Sequence, residues 1–293
     1  MNVINAKLDI IFKRLFTSDK SVLTAFTEDL LDFPHGSIQK LEVLNPELLP
    51  ETVDGKQGQL DIKMQVDNKT VNVEIQVHSQ QDYKERALYY WAKMFSGELK
   101  RSEPYAELKQ TISINILNFN LFDCKEPYST FKLLETNRQE LLTDKCAIVF
   151  FELKKINRNI DKADRKKLWL QLLNAETEED LDMIKEAGVD EINKAIVIMH
   201  EMSEDEKIQE MARLREKWIR DEVSNREFYR KQGKAEGRAE GRAEGRAEGR
   251  AEGKAEGRAE GRAEGEANKE REIVSKLIQN GFTEEDIRKI LNS

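Results

Sequence analysis

The chain has 293 residues, long enough for one sizeable core with appended elements, and its 39% hydrophobic content leaves part of it extended or solvent-facing. Its 48 Lys+Arg against 56 Asp+Glu give a formal charge of −8, which excludes a uniformly basic nucleic-acid module and confines any such contact to a local patch. No run of ~18 apolar residues occurs, so no segment reads as membrane-spanning.

The opening "MNVINAKLDIIFKRLF" interrupts its apolar residues with Lys7, Asp9, Lys13 and Arg14, which is not a signal-peptide core, and the expectation is a cytoplasmic protein. Leu8, Ile11, Phe12, Leu15 and Phe16 stand at helical spacing, and Val22, Leu23, Phe26 and Leu30 repeat the pattern after Ser18 or Asp19. Beyond Pro46 and Pro50 the period switches to two. Leu60, Ile62, Met64 and Val66 alternate with polar residues, as do Val71, Val73, Ile75 and Val77, predicting a hairpin with one apolar and one polar face. The stretch from Asp82 to about Gly97 returns to helical spacing, and "TISINILNF" (111–119) and "CAIVFFEL" (146–153) read as inner strands. Helices and strands interleave, so residues 1–155 form an α/β core. Cys124 and Cys146 are too few for a disulfide framework and read as free thiols.

From Lys154 strand signals stop. A basic start over 154–167 (Lys154, Lys155, Arg158, Lys162, Arg165, Lys166, Lys167) opens a helical region over 156–232. Eight GRAE or GKAE tetrads fill 233–264, and 265–293 reads as a helical hairpin turning at Gly281, with a cap at Thr283 and Asp286. The Gly stripe of a helical tetrad repeat drifts by about 40° per tetrad, so no fixed seam forms, and each Gly costs about 1 kcal/mol relative to Ala. Ala, Arg and Glu nonetheless favour helix. The expectation is one long helix from about 204 to 279, stabilised by self-association of coiled-coil type; the plainer alternative is a low-complexity linker.

In the hairpin, apolar residues of both strands share a face only if paired positions sum to an odd number, such as 135 or 137. Either register brings Asp61, Glu74 and Gln76 together on the polar face. Adjacent carboxylates repel unless a cation lies between them, and Mg²⁺ suits a few carboxylate oxygens. The plainer reading is a solvated hairpin face with Lys63 and Lys69 as counter-charge. His78 continues that face as a surface residue.

An acid ending one strand, then E-x-Q on the next, then a helix resembles a variant PD-(D/E)XK nuclease site. More specifically, "LDIIFKRLF", "LNPE" (44–47), "LDI" (60–62), "EIQ" (74–76), "RALYYWAKMF" (86–95) and "PYAELKQTISINILNF" (104–119), with the Gly-Glu-rich tail, resemble the bacterial recombination-promoting nuclease (Rpn-type) and transposase family. The resemblance implies a mixed central sheet flanked by helices, followed by an all-helical extension. It implies an Mg²⁺-dependent DNA endonuclease, other divalent ions being possible, with Asp61, Glu74 and the Ile75 carbonyl as metal ligands. Gln76 stands where the superfamily usually has lysine, and Leu60 where a proline often precedes the first acid; these departures bear on catalytic strength. Asp9 is a candidate extra acid, or a simple helix-start charge. Arg86 and Tyr90 share a helix face and are candidates for the scissile phosphate, or for packing. Lys154, Lys155, Arg158 and Lys162 are candidates for DNA phosphates, or a solvated face. DNA and a second copy of the chain are the expected partners. A catalytically weak DNA-binding scaffold and an RNA-directed nuclease remain the alternatives.

Overall fold

The computed structural model describes residues 3–44, 47–48, 58–59, 61–79, 82–99, 102–281 and 283. It divides into two compact units, Met1–Ile219 and Arg220–Ser293. The first opens with α1 (Asp9–Ser18) and α2 (Lys20–Leu30), separated where Asp19 caps α2 by accepting the Ser21 N–H. Strands β1 (Leu41–Leu44), β2 (Glu47–Leu48), β3 (Gly58–Gln59), β4 (Ile62–Val66) and β5 (Lys69–Gln76) follow, then α3 (Tyr83–Ser96), β6 (Gln110–Leu117), β7 (Tyr128–Phe131) and β8 (Cys146–Glu152). Helices α4 (Arg165–Asn174), α5 (Glu178–Lys185), α6 (Asp190–Glu204) and α7 (Glu206–Gln279) complete the chain. The result is the expected mixed α/β architecture with a helical extension.

The main sheet has six strands in the order β1-β4-β5-β6-β8-β7. β4 and β5 are the expected hairpin, paired at Ile62↔Val73 and Met64↔Val71, so the register sum is 135. β6 lies parallel to both β5 and β8, with α3 crossing over between β5 and β6. β1 and the edge strand β7 carried no period strong enough to be read from sequence; both are four-residue strands with exposed positions.

Side-chain alternation gives the two faces of the sheet different chemistry. Val71, Val73, Ile75, Ile112, Ile114, Ile116, Val149 and Phe151 share one core with α1, α2, α4, α5 and α6. The opposite face is covered by α3 through Tyr83, Ala87 and Trp91, packed with Leu117, Phe119, Ile148 and Phe150. Beneath α3 the strands also bury Asn72, Glu74, Ser113 and Asn115. The polar face expected to be wet on both hairpin strands is therefore covered on β5. Covering helices bury whatever they cross, and alternation alone does not reveal their presence.

The helices after residue 155 are part of the same core. Trp169 on α4 is fully buried against Phe16 and Phe26, with ring centroids 5.9 and 5.5 Å away, and its indole N–H donates to Asp29 Oδ2 at 2.7 Å. α7 runs without interruption through the tetrads, whose residues are exposed all round, and Gly281 after it has φ +87°, a left-handed stop open to glycine. Asp286 and the final short helix lie outside the described residues, as do Leu60 and positions 45–46.

Trp169→Ala removes both the ring and the donor that Asp29 faces, and is expected to cost about 3–5 kcal/mol in denaturant unfolding. Loss of under 1 kcal/mol would show that α4 is only loosely attached to the sheet.

Candidate active site

Asp61 sits one residue before β4, opposite Glu74 on β5, as the register sum of 135 requires. The two are tied reciprocally. The Asp61 N–H donates to Glu74 Oε1 at 3.2 Å, and the Ile75 N–H donates to Asp61 Oδ2 at 2.7 Å. Each carboxylate thus has one oxygen anchored by the other strand's backbone. These bonds hold the side chains in place independently of any ligand.

The electrostatics are those of buried acids. Glu74 is 4% exposed. Burial, then the neighbouring Asp61 charge, push its carboxyl well above the ordinary range. Burial also raises the Asp61 carboxyl to about 6; the Ile75 N–H opposes this, Asp9 adds to it, and Arg86 and Lys13 oppose it. An exposed acidic cluster, the simplest form of the sequence reading, is thereby corrected: the acids lie under and beside helices, not on an open face. The positive charge nearest both acids is that of Arg86 on α3, which favours their ionised forms.

Polar groups of β5, β6 and α3 surround Glu74. Asn72 lies near enough to favour its charged form, yet neither Asn72 amide atom reaches hydrogen-bonding geometry. Tyr83 donates its hydroxyl to Asn115 Oδ1 at 3.0 Å, and Asn115 Nδ2 in turn reaches Ser113 Oγ at 3.2 Å and the Val149 carbonyl at 3.3 Å. Burial first, then Glu74, push the Tyr83 phenol well above its usual range, so it remains a neutral donor. Asn72, Tyr83 and Asn115 were not singled out from the sequence. The available signal was the polar "SIN" inside an otherwise apolar inner strand, which requires a buried polar partner.

The remaining sequence candidates divide. Gln76 closes β5 on the same face as Glu74, and its carbonyl accepts the Asn118 N–H at 2.9 Å. Arg86 lies over the Tyr90 ring at 5.2 Å and its charge favours the ionised form of both acids. Asp9 is near enough to influence Asp61, but its carboxylate is gripped by Arg215 of α7, Nε to Oδ1 at 2.8 Å and Nη2 to Oδ2 at 2.5 Å. Arg215 is distant in sequence and carried no motif.

The basic run does not form one free surface. Lys155 is turned inward onto Glu152 Oε2 at 2.6 Å and the Phe122 carbonyl at 2.9 Å, and Lys162 bonds the Glu186 carbonyl at 2.8 Å. Arg165 pairs with Asp29 and Glu191, and Lys166 with Asp32. Lys154 and Arg158 are exposed and line a cleft. His78 is exposed.

Two adjacent carboxylates, Glu74 buried and Asp61 half-buried, beside an unsatisfied amide suit a divalent cation, since a cation would relieve the repulsion and the amide could bond its water shell. Among the described residues no three His, Cys, Asp or Glu side chains converge to hold a metal. A cation here would draw on Asp61, Glu74, peptide oxygen and water. Among the described residues no helix is long and apolar enough to cross a membrane.

The family model of the PD-(D/E)XK nuclease family transposases matches residues 6–227, which takes in the sheet, α1–α6 and the start of α7. No curated protein and no solved structure matches the chain.

The burial of Asp61 sets a pH dependence of stability. Its folded-state pKa of about 6 lies above 3.8, so its protonated form stabilises the fold below about pH 4, and that contribution is lost as pH rises through about 6. Asp61→Asn keeps an acceptor for the Ile75 N–H without the charge. In EDTA at pH 7.5 it is expected to exceed the parent in unfolding free energy by up to about 3 kcal/mol, with the gap closing toward pH 4. A variant less stable than the parent at pH 7.5 would contradict a net cost of charge at Asp61.

Proposed function

The chain belongs to the PD-(D/E)XK nuclease family transposases, and from that premise we propose that it is an Mg²⁺-dependent DNA endonuclease, hydrolysing phosphodiester bonds in DNA breakage and recombination in the cytoplasm. The observation that carries this reading is the pair of adjacent carboxylates, buried Glu74 and half-buried Asp61, each anchored through one oxygen to the opposite strand. Rigid, desolvated acids of this kind are costly for stability and are usually kept for chemistry.

In this reading Asp61, Glu74 and the Ile75 carbonyl hold the cation. Bound there, it supplies Lewis acidity and neutralises charge developing on the phosphate. Glu74 and Gln76, on one strand face two residues apart, orient the attacking water by accepting hydrogen bonds from it. Gln76 brings an amide and no charge, so the cationic assistance that lysine offers elsewhere falls to Arg86, which also contacts the strand with Tyr90. Asp9, held by Arg215, fixes the end of α1 beside Asp61 and adds negative potential to the cation site.

The expected result with supercoiled plasmid is nicking that requires Mg²⁺ and is abolished by EDTA. Asp61→Asn and Glu74→Gln should each reduce the rate by at least about 100-fold with folding intact. Parental cleavage by either variant would reject the site. Gln76→Lys should retain or raise activity, and its complete loss in a folded protein would reject the orienting role of Gln76.

We further assign the α7 tail to self-association. Its tetrads expose small Gly and Ala residues that permit close backbone approach, and alternating Arg and Glu can pair between chains. Light scattering should give a mass above monomer for the full chain and a lower one for a chain ending at Gln232. Equal monomeric masses would dismiss the oligomer.

A further inference from the structure

A cleft of about 410 Å³ lies beside the short helical turn Leu153–Lys155, between the end of β6 and helices α4 and α5. That volume is in the range of small-ligand sites. Its polar lining is not self-satisfied. Gln171 is 7% exposed, and its amide nitrogen donates to the Asn157 and Asn159 carbonyls at 2.9 and 3.0 Å. Two carbonyl partners fix which end of the amide is nitrogen. The buried Oε1 is then an acceptor, and it has no partner.

The cations of the cleft are likewise underused. Lys7 is buried, and among the described residues its ammonium contacts only Glu176 Oε1, at 3.5 Å, although it has three protons to donate. Lys154 and Arg158 are exposed at the rim. Of the two acids in the lining, Asp180 caps α5, where it accepts the Glu176 and Thr177 N–H groups, and its charge lies near enough to Arg158 to be favoured by it. Ile156, Ile160 and Ile184 supply apolar wall, and Asn118 and Asn157 add amides.

An apolar wall, a buried acceptor, amides and three cations against two acids are together the chemistry of a base joined to a phosphate. We propose that this cleft binds one nucleoside monophosphate unit, its base along the isoleucines with an amino edge toward Gln171 Oε1, and its phosphate on Lys154 and Arg158. The unit is either a free mononucleotide or a nucleotide flanking the cut in a bound strand; the second source rests on the nuclease reading. Asn118 connects the two sites, because it lines the cleft while its N–H binds the Gln76 carbonyl.

The test is binding by the full chain in EDTA, where no cleavage intervenes. AMP, ribose 5-phosphate and inorganic phosphate are titrated by calorimetry, and a labelled 12-nucleotide single strand by fluorescence anisotropy. Two variants are compared. Lys154→Ala with Arg158→Ala removes rim charge, and Asn157→Trp fills the cleft at constant charge; circular dichroism confirms that each folds. AMP binding at least tenfold tighter than ribose 5-phosphate, and lost in both variants, establishes a free mononucleotide. Absent AMP binding, with oligonucleotide affinity lowered at least tenfold by both variants, establishes a flanking nucleotide. If Asn157→Trp alters neither, or ribose 5-phosphate binds as well as AMP, the proposal is overturned. Plasmid cleavage is read separately, so a chain that binds nucleotide but never cuts loses the nuclease reading and keeps the cleft.

Discussion

Glu74 is a carboxylate in the middle of a six-stranded sheet, and the architecture around it accommodates that single cost. Burying an acid is unfavourable unless the charge is neutralised or solvated by fixed dipoles. The Asp61 N–H supplies one such dipole, and the Arg86 charge favours ionisation from α3. Because the hydrogen bond comes from the residue that carries the second acid, the arrangement cannot hold one carboxylate without bringing the other beside it. The hairpin register, the crossover helix and the paired acids are therefore one construction.

That construction explains why the two faces of the sheet differ. The face toward α1, α2 and α4–α6 is apolar along β5, β6 and β8 and does the ordinary work of stabilisation. The face under α3 mixes Trp91 and Ile148 with Asn72, Ser113 and Asn115, a less stabilising interior whose hydroxyls and amides are mostly bonded to one another. Among the described residues two side chains of this face stay unbonded, the Thr111 hydroxyl and the Asn72 amide, and Asn72 stands next to Glu74. A fold keeps a defect of this kind where something other than stability requires it.

The same contrast separates two kinds of charged residue. Lys155 and Arg165 lie in a basic run, yet each is occupied by acids from its own fold, Lys155 by Glu152 and Arg165 by Asp29 and Glu191. Lys154 and Arg158, from the same run, remain at the surface. Adjacent residues on a short helical turn and the loop after it point in different directions, so a charge count along the sequence cannot distinguish a substrate patch from a set of internal struts. Asp9 is a similar case: its partner Arg215 lies 206 residues away.

The periodic elements were legible in the residue pattern alone. Apolar residues at i, i+3 and i+4 place α1 and α2, alternation places β4 and β5, and odd parity brings Asp61, Glu74 and Gln76 to one face in either of two registers, of which the fold adopts the one with sum 135. The helical course of the tail was legible too, from its Ala, Arg and Glu content. These features are local, since they follow from backbone geometry over a few residues. Only the tertiary structure decided that α3 covers the polar face, that Tyr83 and Asn115 join the acids, that Arg215 holds Asp9, and that the helices beyond 155 share the core of the sheet. Periodicity states which residues share a face, but what lies against that face is set by packing between segments far apart in the chain, and burial, with the pKa values that follow from it, belongs to that packing alone.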